Sequence, residues 1–292
     1  MKDLKGKTVF ITGGAEGIGF HVGRLLGAQG MNVMLADIDT GTLAQAVRTL
    51  KEEGLTVEGV ACDVALKADI DSAARKTIET FGKVHMLISN AGVSVTGSQK
   101  SINEEDWRWV IDVNLMGVVF GAQVFAPLIK SHGEGGHIIN VASIAGIHGV
   151  SFAGPYCASK AAVVSLSESW RKELQKDGIT VSVLCPGFVK SRIYDSMRNR
   201  QARYGGPVHF EDEVKEKPAR AYNKELVVTG IDTEIAANRV LEGIRDDEFF
   251  IFTHPHYREL HQMRVDNINA GFDKADASPA LAAVPRQGAI LA

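Results

Sequence analysis

The sequence predicts one α/β domain, built on a doubly wound, mostly parallel seven-stranded sheet with helices on both faces. Short apolar runs of strand-forming residues alternate with longer stretches of helical periodicity along the chain. The strand-like runs are apolar on both faces, as expected for parallel strands that are covered on both sides. A glycine-rich turn follows the first such run and opens the first helical stretch, and turns in this context often hold phosphate groups.

Each strand prediction is based on a short apolar run, and each helix prediction on apolar residues spaced three and four apart. The predicted strands are Thr8–Thr12, Asn32–Ala36, Thr56–Ala61, Val84–Ser89, His137–Ala142, Thr180–Cys185 and Phe249–Thr253. The predicted helices are Gly17–Gln29, Thr40–Glu53, Lys67–Phe81, Asn103–Ser131, Tyr156–Lys176 and Asp232–Arg245. Because strands and helices alternate, consecutive strands are expected to lie parallel in one sheet.

Two segments depart from this alternation. Lys190–Gly230 contains no clear strand and carries polar and aromatic residues, and a segment of that length is more often a functional lid than an inert loop. The residues after Lys274 are rich in Ala and Pro, so we expect a tail that is flexible or ordered only against another subunit. We therefore predict a catalytic domain over residues 1–274, with a substrate lid at 190–230, and a C-terminal tail at 275–292.

The composition argues against several classes of function. There are 32 Lys plus Arg against 35 Asp plus Glu, so the net charge of −3 gives no general footprint for nucleic acid or an anionic membrane. No apolar run approaches the ~20 residues that span a bilayer, and no signal-peptide pattern opens the chain. Cys62, Cys157 and Cys185 are too scattered for a disulfide framework or a zinc site, and the histidines are dispersed. We expect a cytoplasmic protein with a small-molecule substrate and no metal.

The turn after the first predicted strand reads TGGAEGIG over Thr12–Gly19. Its glycines permit a tight turn and let a diphosphate approach the backbone. The N-terminus of the following helix offers free N–H groups and the positive end of the helix dipole. This pattern indicates dinucleotide binding, with a plain tight turn as the alternative.

Acidic residues end the next two predicted strands. The carboxylate of Asp37 can accept hydrogen bonds from the adenosine ribose hydroxyls and would repel a 2′-phosphate. Glu16 and Ile38 occupy nearby positions where an NADP site would favour Lys or Arg, so we predict NAD(H). Asp63 ends the third strand, where it can meet the adenine amino group. For both aspartates the alternative is a helix N-cap.

The residues with catalytic chemistry follow the fifth strand and open the long helix after it. Tyr156 and Lys160 are four residues apart and so share one helical face. An ammonium group beside a phenol lowers the Tyr pKa from ~10 toward the working pH, which lets Tyr156 exchange a proton with an alcohol or carbonyl. Ser143 lies at the carboxyl end of a strand, where its hydroxyl can hold the reacting oxygen. The alternatives are a solvated helix face for the pair and a turn cap for Ser143.

Two asparagines stand at further positions of interest. Asn90, followed by Ala91 and Gly92, ends the fourth strand, where small residues would let a cofactor lie close. Asn114 sits inside an apolar helix, where an unbonded amide is unfavourable, so it marks either a helix distortion or a bound water.

Together these motifs resemble the short-chain dehydrogenases/reductases over Leu4 to about Val189, with weaker likeness through Thr253. The matching pieces, in the family's order, are TGGAEGIG at Thr12–Gly19, Asp63, SNAG at Ser89–Gly92, Asn114, Ser143, YCASK at Tyr156–Lys160 and PGFVKS at Pro186–Ser191. The resemblance implies a single Rossmann domain, hydride transfer between NAD and a carbinol carbon, and a homodimer or homotetramer.

The resemblance also implies residue roles. Tyr156 would be the general acid/base, Lys160 would hold the nicotinamide ribose, Ser143 would orient the substrate oxygen, and Asn114 would anchor a water in a proton relay. The predicted cofactor-binding residues are Gly13, Glu16, Gly17, Ile18, Gly19, Asp37, Asp63, Val64, Asn90, Ala91, Gly92, Tyr156, Lys160, Pro186, Gly187, Val189 and Ser191. The family usually has Thr at the position of Ser191, and Ser keeps the hydroxyl.

Substrate contacts should come from loops at the same sheet edge. The predicted residues are Ser94, Val95, Ile144, His148, Phe188, Tyr194 and Tyr204. They are mostly apolar or aromatic, so we predict a bulky, largely apolar secondary alcohol or ketone of aromatic, steroid or terpenoid type. The alternative is that these side chains only pack the lid. The PGFVKSRI run and the stretch after it are similar to bacterial family members that oxidise benzylic alcohols of lignin-type aryl ethers.

Two other functions remain open. The first is an NADPH-linked ketoreductase of the 3-oxoacyl type, against which the acidic Glu16 and Asp37 argue. The second is a non-catalytic dinucleotide sensor, against which the intact set of Ser143, Tyr156 and Lys160 argues.

Overall fold

The computed structural model describes residues 3–209 and 219–285. At its centre is a seven-stranded parallel sheet with the strand order β3-β2-β1-β4-β5-β6-β7, which confirms the predicted architecture. The strands are β1 Thr8–Thr12, β2 Asn32–Asp37, β3 Val57–Ala61, β4 Met86–Ser89, β5 Gly136–Val141, β6 Ile179–Cys185 and β7 Phe250–Phe252.

Helices cover both faces of this sheet. In chain order, the helices of the described residues are α1 Gly17–Ala28, α2 Thr40–Glu52, α3 Lys67–Phe81, α4 Glu104–Ile111, α5 Gly117–Ser131, α6 Gly154–Gln175, α7 Ala219–Val228, α8 Thr233–Asp246 and α9 Arg258–Asp276. Alternate residues of β1 point to opposite faces: Val9 and Ile11 belong to one apolar core, and Phe10 to the other. Phe10 packs on Phe125 of α5 with ring centroids 4.4 Å apart. Both faces of the strand are therefore buried, as its unbroken apolar run predicts.

The strand order places the functional edge. From β1 the chain winds outward to β2 and β3, and from β4 it winds the opposite way to β5, β6 and β7. In open α/β sheets, ligands bind outside the carboxyl ends of the strands at this switch point. Gly13, Asn90 and Ser143 directly follow or lie just beyond β1, β4 and β5, so they meet at that edge.

The predicted helix Asn103–Ser131 is interrupted. One turn of π-helix, Asp112–Met116, separates α4 from α5, and it contains Asn114. A polar side chain that bonds outside its own helix favours such a bulge, and bulges of this kind often mark functional positions.

The same stretch corrects the expectation that no apolar segment is long enough to span a bilayer. Glu104–Ser131 is long and apolar enough to cross a bilayer by length and composition, and an 18-residue window of it has a mean hydropathy of 1.6. Half of that window is buried inside the protein, and Trp109 and Phe125 are fully buried. The stretch is therefore consistent with a helix of the protein core.

The boundary between catalytic domain and tail at residue 274 stays a prediction. The chain divides into two compact units at His254–Pro255. The second unit contains α9, a helix that sequence analysis did not predict and that buries no side chain. Within the predicted lid, the structure adds α7 and two short 3₁₀ turns, Ile193–Asn199 and Ala202–Tyr204. Residues 210–218 of the lid and 286–292 of the tail lie outside the described residues.

A buried histidine in β5 gives a testable pH dependence. The ring of His137 bonds Ser182 Oγ at 2.8 Å, and burial lowers its pKa to about 3. In the unfolded chain this ring titrates near ~6.5, so between pH 6.5 and 3 only the unfolded state gains the proton. The free energy of unfolding should therefore fall as the pH falls through this window, by at most about 1.4 kcal/mol per pH unit from this group.

Urea unfolding at pH 7 and pH 5 measures this effect. Wild type is compared with His137→Gln, whose amide can still donate to Ser182. We expect the variant to lose less stability than wild type on acidification. An equal loss in both proteins would show that His137 does not carry the pH dependence.

Candidate active site

The glycine-rich turn forms a cradle of bare backbone. Gly13 has φ +61°, and a Cβ there would lie 2.8 Å from the Cα of Ala91. A Cβ on Gly19 would lie 2.3 Å from the carbonyl oxygen of Gly13. The amide of Asn90 braces the turn by donating to the carbonyls of Thr12 and Gly13 at 3.0 and 2.8 Å. The turn thus has no space for side chains at Gly13 and Gly19, and α1 begins directly after it. A diphosphate can approach such a bare backbone and the N–H groups of the helix N-terminus.

Asp37 is not a helix cap. Asp39 caps α2 instead, because its carboxylate accepts the backbone N–H of Thr42 at 3.0 Å. The two oxygens of Asp37 accept the backbone N–H groups of Asp39 at 3.0 Å and Ala15 at 3.1 Å. Burial raises the pKa of Asp37, and these two hydrogen bonds oppose that shift. Asp37 therefore ties the end of β2 to the glycine turn at the position predicted for the ribose.

Asp63 is also not the cap of the following helix, because Leu66 flanks α3. Asp63 Oδ1 accepts the N–H of Ala65 at 3.1 Å, and Oδ2 accepts from Arg203 Nη2 at 2.7 Å. Its neighbour Val64 is buried. The predicted adenine-facing carboxylate thus already has a cationic partner from the lid.

Tyr156 and Lys160 lie in the first two turns of α6, as their spacing predicts. Lys160 Nζ stands 5.7 Å from the centroid of the Tyr156 ring and donates to the carbonyl of Val141 at 2.7 Å. The Ser143 side chain lies close enough to Tyr156 to act on the pKa of its hydroxyl, and Ser143 Oγ accepts the N–H of Ala145 at 3.1 Å. The structure thus brings all three predicted catalytic residues together at the end of β5.

The Tyr156 pKa shifts opposite to the sequence prediction. Burial raises the pKa of Tyr156 to about 12, and the hydrogen bond from Ser143 only partly offsets it. The same burial lowers the pKa of Lys160 to about 8. Desolvation penalises the charged form of each group, and it outweighs the attraction expected from helical spacing alone. Tyr156 is therefore a neutral hydroxyl donor in this state of the protein.

Asn114 is held by protein groups on both sides of its amide. Its oxygen accepts the N–H of Val93 at 2.8 Å, and its nitrogen donates to the Val93 carbonyl at 2.9 Å and to Ser159 Oγ at 3.1 Å. Ser159 in turn donates to the carbonyl of Tyr156 at 2.8 Å. A Cβ on Gly92 would lie 3.4 Å from Lys160 Nζ and 3.5 Å from Asn114 Oδ1. A helix distortion and a bound water were the two predictions for Asn114. The distortion is confirmed, because Asn114 lies in the π turn between α4 and α5.

The residues after β6 close the other side of the cradle. A Cβ on Gly17 would lie 3.6 Å from the Cβ of Ser191, so Ser191 adjoins the glycine turn. The carbonyl of Pro186 accepts the N–H of Ile144 at 2.9 Å, and the N–H of Gly187 donates to Thr253 Oγ1 at 3.2 Å. These contacts hold the predicted nicotinamide-side residues next to the Ser143 loop.

The predicted substrate residues divide into two groups. Val95 and Tyr204 are buried, and the hydroxyl of Tyr204 donates to Asp112 at 2.7 Å, so both are used in packing. The backbone N–H of Ser94 donates to Ser196 Oγ of the lid at 2.9 Å. Besides Ser94, four of the predicted residues are partly exposed: Ile144, His148, Phe188 and Tyr194.

Basic residues lie beside the glycine turn that were not predicted as part of the site. The lid carries Arg192, Arg198 and Arg203, and the first two lie against Glu16 in the glycine turn. Arg198 is 182 residues from Glu16, so no local pattern around the turn could indicate the pair. No Lys or Arg lies close to Ile38 in sequence, and folding brings arginines to this site from distant positions of the chain.

One group of described residues has the spacing of a metal site: His85, His132 and Glu134. The N–H of Thr8 donates to His85 Nδ1 at 3.1 Å, and His85 Nε2 bonds Glu134 Oε2 at 3.0 Å. His132 Nε2 bonds the Val84 carbonyl at 2.9 Å, and the Glu134 N–H donates to His132 Nδ1 at 3.2 Å. The Nδ1 atoms of His85 and His132 thus each accept a backbone N–H, which leaves neither lone pair for a metal ion. The cluster instead links the segments that lead into β4 and β5, at the sheet edge opposite Ser143.

Comparisons with known proteins agree with the geometry. The family model described as short chain dehydrogenase matches residues 7–202. The C alpha-dehydrogenase of Sphingobium sp. strain NBRC 103272 / SYK-6 is 35% identical over 260 residues, which is 89% of this chain and 84% of the relative. The rat (Rattus norvegicus) 15-hydroxyprostaglandin dehydrogenase [NAD(+)] is 31% identical over 250 residues, covering 84% of this chain and 88% of the relative.

A solved structure is similar over nearly the whole chain. It is a short chain dehydrogenase/reductase from Burkholderia phymatum in complex with NAD, with a TM-score of 0.88 and 35% identity. The match covers 93% of this chain and 97% of that one.

Proposed function

The chain belongs to the short chain dehydrogenase family, and on this premise we propose that it transfers hydride between NAD(H) and a bulky, largely apolar secondary alcohol or ketone. Membership supports an oxidoreductase of alcohols and ketones that uses a nicotinamide dinucleotide. The observation that carries the finer proposal is the convergence of Ser143, Tyr156 and Lys160 beside the glycine cradle, with Asp37 at the predicted ribose position.

The chain's own residues have distinct tasks in this proposal. The hydroxyls of Ser143 and Tyr156 point donors at the substrate oxygen, where negative charge develops during reduction. Tyr156 gives its proton to that oxygen in reduction and takes it back in oxidation, which is general acid and base catalysis. Lys160 stands behind Tyr156 and is placed to hold the nicotinamide ribose, and Asn114 fixes the backbone of Val93 on the same side. A bound nicotinamide supplies the hydride acceptor or donor.

NAD(H) is favoured over NADP(H) by the carboxylate of Asp37. Its two oxygens are fixed by backbone donors, so it stays at the end of β2 and repels a 2′-phosphate. The Burkholderia phymatum relative was solved with NAD, and the rat relative is named for NAD(+). One observation favours the runner-up, an NADPH-linked 3-oxoacyl-type ketoreductase. The N–H of Thr42 chiefly lowers the pKa of Asp39 and the charge of Arg198 lowers it further, so a cation that would attract a phosphate acts on this side of the site.

The substrate class follows from the exposed part of the site. The partly exposed residues Ile144, Phe188 and Tyr194 are apolar or aromatic, which suits a bulky apolar skeleton. We include benzylic secondary alcohols among such substrates, because the PGFVKSRI run is similar to bacterial family members that oxidise them. We further propose that the protein is a cytoplasmic homodimer or homotetramer. Light scattering, which measures the mass of the assembly, tests the number of subunits.

The test is a panel of bulky secondary alcohols, including benzylic ones, with NAD⁺ and NADP⁺, read at the reduced-nicotinamide absorbance. We expect turnover with NAD⁺ and, by fluorescence titration, at least about tenfold tighter binding of NADH than NADPH. Tighter NADPH binding would refute the cofactor proposal and favour the ketoreductase. Binding of NADH without turnover of any alcohol or ketone would favour a dinucleotide sensor.

A further inference from the structure

Three lid arginines follow the edge of the sheet where the adenosine half of a dinucleotide belongs. Arg192 lies 3.8 Å from Glu16, and Arg198 is ion-paired with the same carboxylate. Arg203 Nη2 lies 2.7 Å from Asp63 Oδ2. We call Arg192, Arg198 and Arg203 the arginine row.

The order of the row matches the order of the strands. Ser191, just before the row, adjoins Gly17 beyond β1. Arg198 is ion-paired with Glu16 in the glycine turn between β1 and α1. Arg203 reaches Asp63 beyond β3. A dinucleotide whose diphosphate lies at the glycine turn extends its ribose toward β2 and its adenine toward β3, the same direction.

We infer that the arginine row forms a wall of the adenosine half of the cofactor site, with Arg203 stacking on the adenine and Arg198 facing the ribose and diphosphate. The inference depends on the proposed function, because it requires a dinucleotide in this cradle. It assigns the first part of the lid to cofactor binding, whereas sequence analysis assigned the lid to the substrate.

The contacts of Arg203 suit stacking. Its guanidinium lies over the ring of Tyr204, 4.7 Å from the ring centroid, in a cation–π contact. Asp63 binds the edge of the group through Nη2. The side chain is 36% exposed, which leaves guanidinium surface open. A guanidinium stacks well on aromatic rings, and adenine presents such a ring.

The platform under Arg203 is rigid. Tyr204 is buried, and its hydroxyl donates to Asp112 in the π turn at 2.7 Å. Nearby, the buried pair Arg200 and Asp106, 2.9 Å apart, fixes the same segment to α4. Holding a recognition group in place before the ligand arrives reduces the entropy lost on binding. This gives Tyr204 a task that its predicted substrate role did not include.

The competing explanation is that these ion pairs only dock the lid. Ser196 provides a matched control, because its hydroxyl also docks the lid, by accepting from the N–H of Ser94 at 2.9 Å, but carries no charge. Ser196→Ala removes a docking contact without touching the arginine row. Arg203→Gln removes the guanidinium, and Arg203→Lys keeps the charge without the planar face.

The experiment is calorimetric titration of ADP-ribose and of NADH into the full-length protein and these three variants, with thermal unfolding to verify that each folds. We expect Arg203→Gln to weaken ADP-ribose binding about tenfold and Arg203→Lys to recover little of it. Ser196→Ala should stay within about twofold of wild type.

Wild-type affinity or tighter binding in Arg203→Gln would overturn the inference, as would an equal loss in Ser196→Ala. Full recovery in Arg203→Lys would overturn the stacking contact. Failure of wild type to bind NADH or ADP-ribose would instead refute the proposed cofactor, so the two failures are distinguishable.

Discussion

Tyr156→Phe should lower kcat about 10³-fold and leave NADH affinity within about twofold of wild type. The substitution removes the hydroxyl beside Ser143, while the ring stays beside Lys160. Burial raises the pKa of Tyr156 to about 12, so at neutral pH the wild-type hydroxyl holds the proton that it donates in reduction. Steady-state oxidation and reduction rates and a fluorescence titration measure the two quantities.

Tyr222→Phe is the control for this prediction, because Tyr222 is exposed on α7. It should retain wild-type rates. Retention of more than about a tenth of the activity in Tyr156→Phe would contradict the acid/base role. Weakened NADH binding in the same variant would indicate that Tyr156 holds the cofactor more than it moves a proton.

Gly19→Ala should abolish measurable dinucleotide binding and lower the melting temperature of the free protein. The added Cβ would lie 2.3 Å from the Gly13 carbonyl oxygen and 2.5 Å from Asn90 Nδ2, so the turn must open. Opening it breaks the bonds from Asn90 to Thr12 and Gly13, and the backbone N–H groups leave the position of the diphosphate. We expect at least about 100-fold weaker NADH binding, measured by calorimetry.

Gly41→Ala is the matched control in the first turn of α2. Its Cβ would meet nothing closer than Asp39 Oδ1 at 3.6 Å, and Ala is the better helix former. This variant should melt at or above the wild-type temperature and bind NADH normally. Normal NADH binding by Gly19→Ala would mean that the glycine turn is only a structural bend.

Most of the fold was predictable because its strands are buried on both faces. Such strands need continuous apolar runs, and the runs for β1 and β2 end within a residue of the structure. The π turn was not predictable in position, since it depends on Asn114 bonding Val93 and Ser159 across the fold. Helix α9 carries no buried face, so it lacks the apolar periodicity by which the other helices were recognised.

The site was predictable where its chemistry is local. Glycines at Gly13 and Gly19 are required by close backbone approach, and helical spacing alone aligns Tyr156 with Lys160. The direction of the Tyr156 pKa shift was predicted wrongly, because desolvation depends on every element packed around the hydroxyl. The sequence left a helix N-cap open as the alternative for Asp37 and Asp63. The structure excludes it, because Asp39 and Leu66 occupy the N-cap positions of α2 and α3.

The order of strands and helices, the glycine cradle and the identity of the reactive side chains follow from the amino-acid sequence, since each depends on neighbours within a turn or two. The charges that surround the reactive side chains are set by the folded chain. Arg203 is 140 residues from Asp63, and Arg198 is farther still from Glu16. Coulomb energies and desolvation depend on distance through space rather than along the chain, so an edge that is acidic in sequence becomes a paired, arginine-lined site in the folded protein.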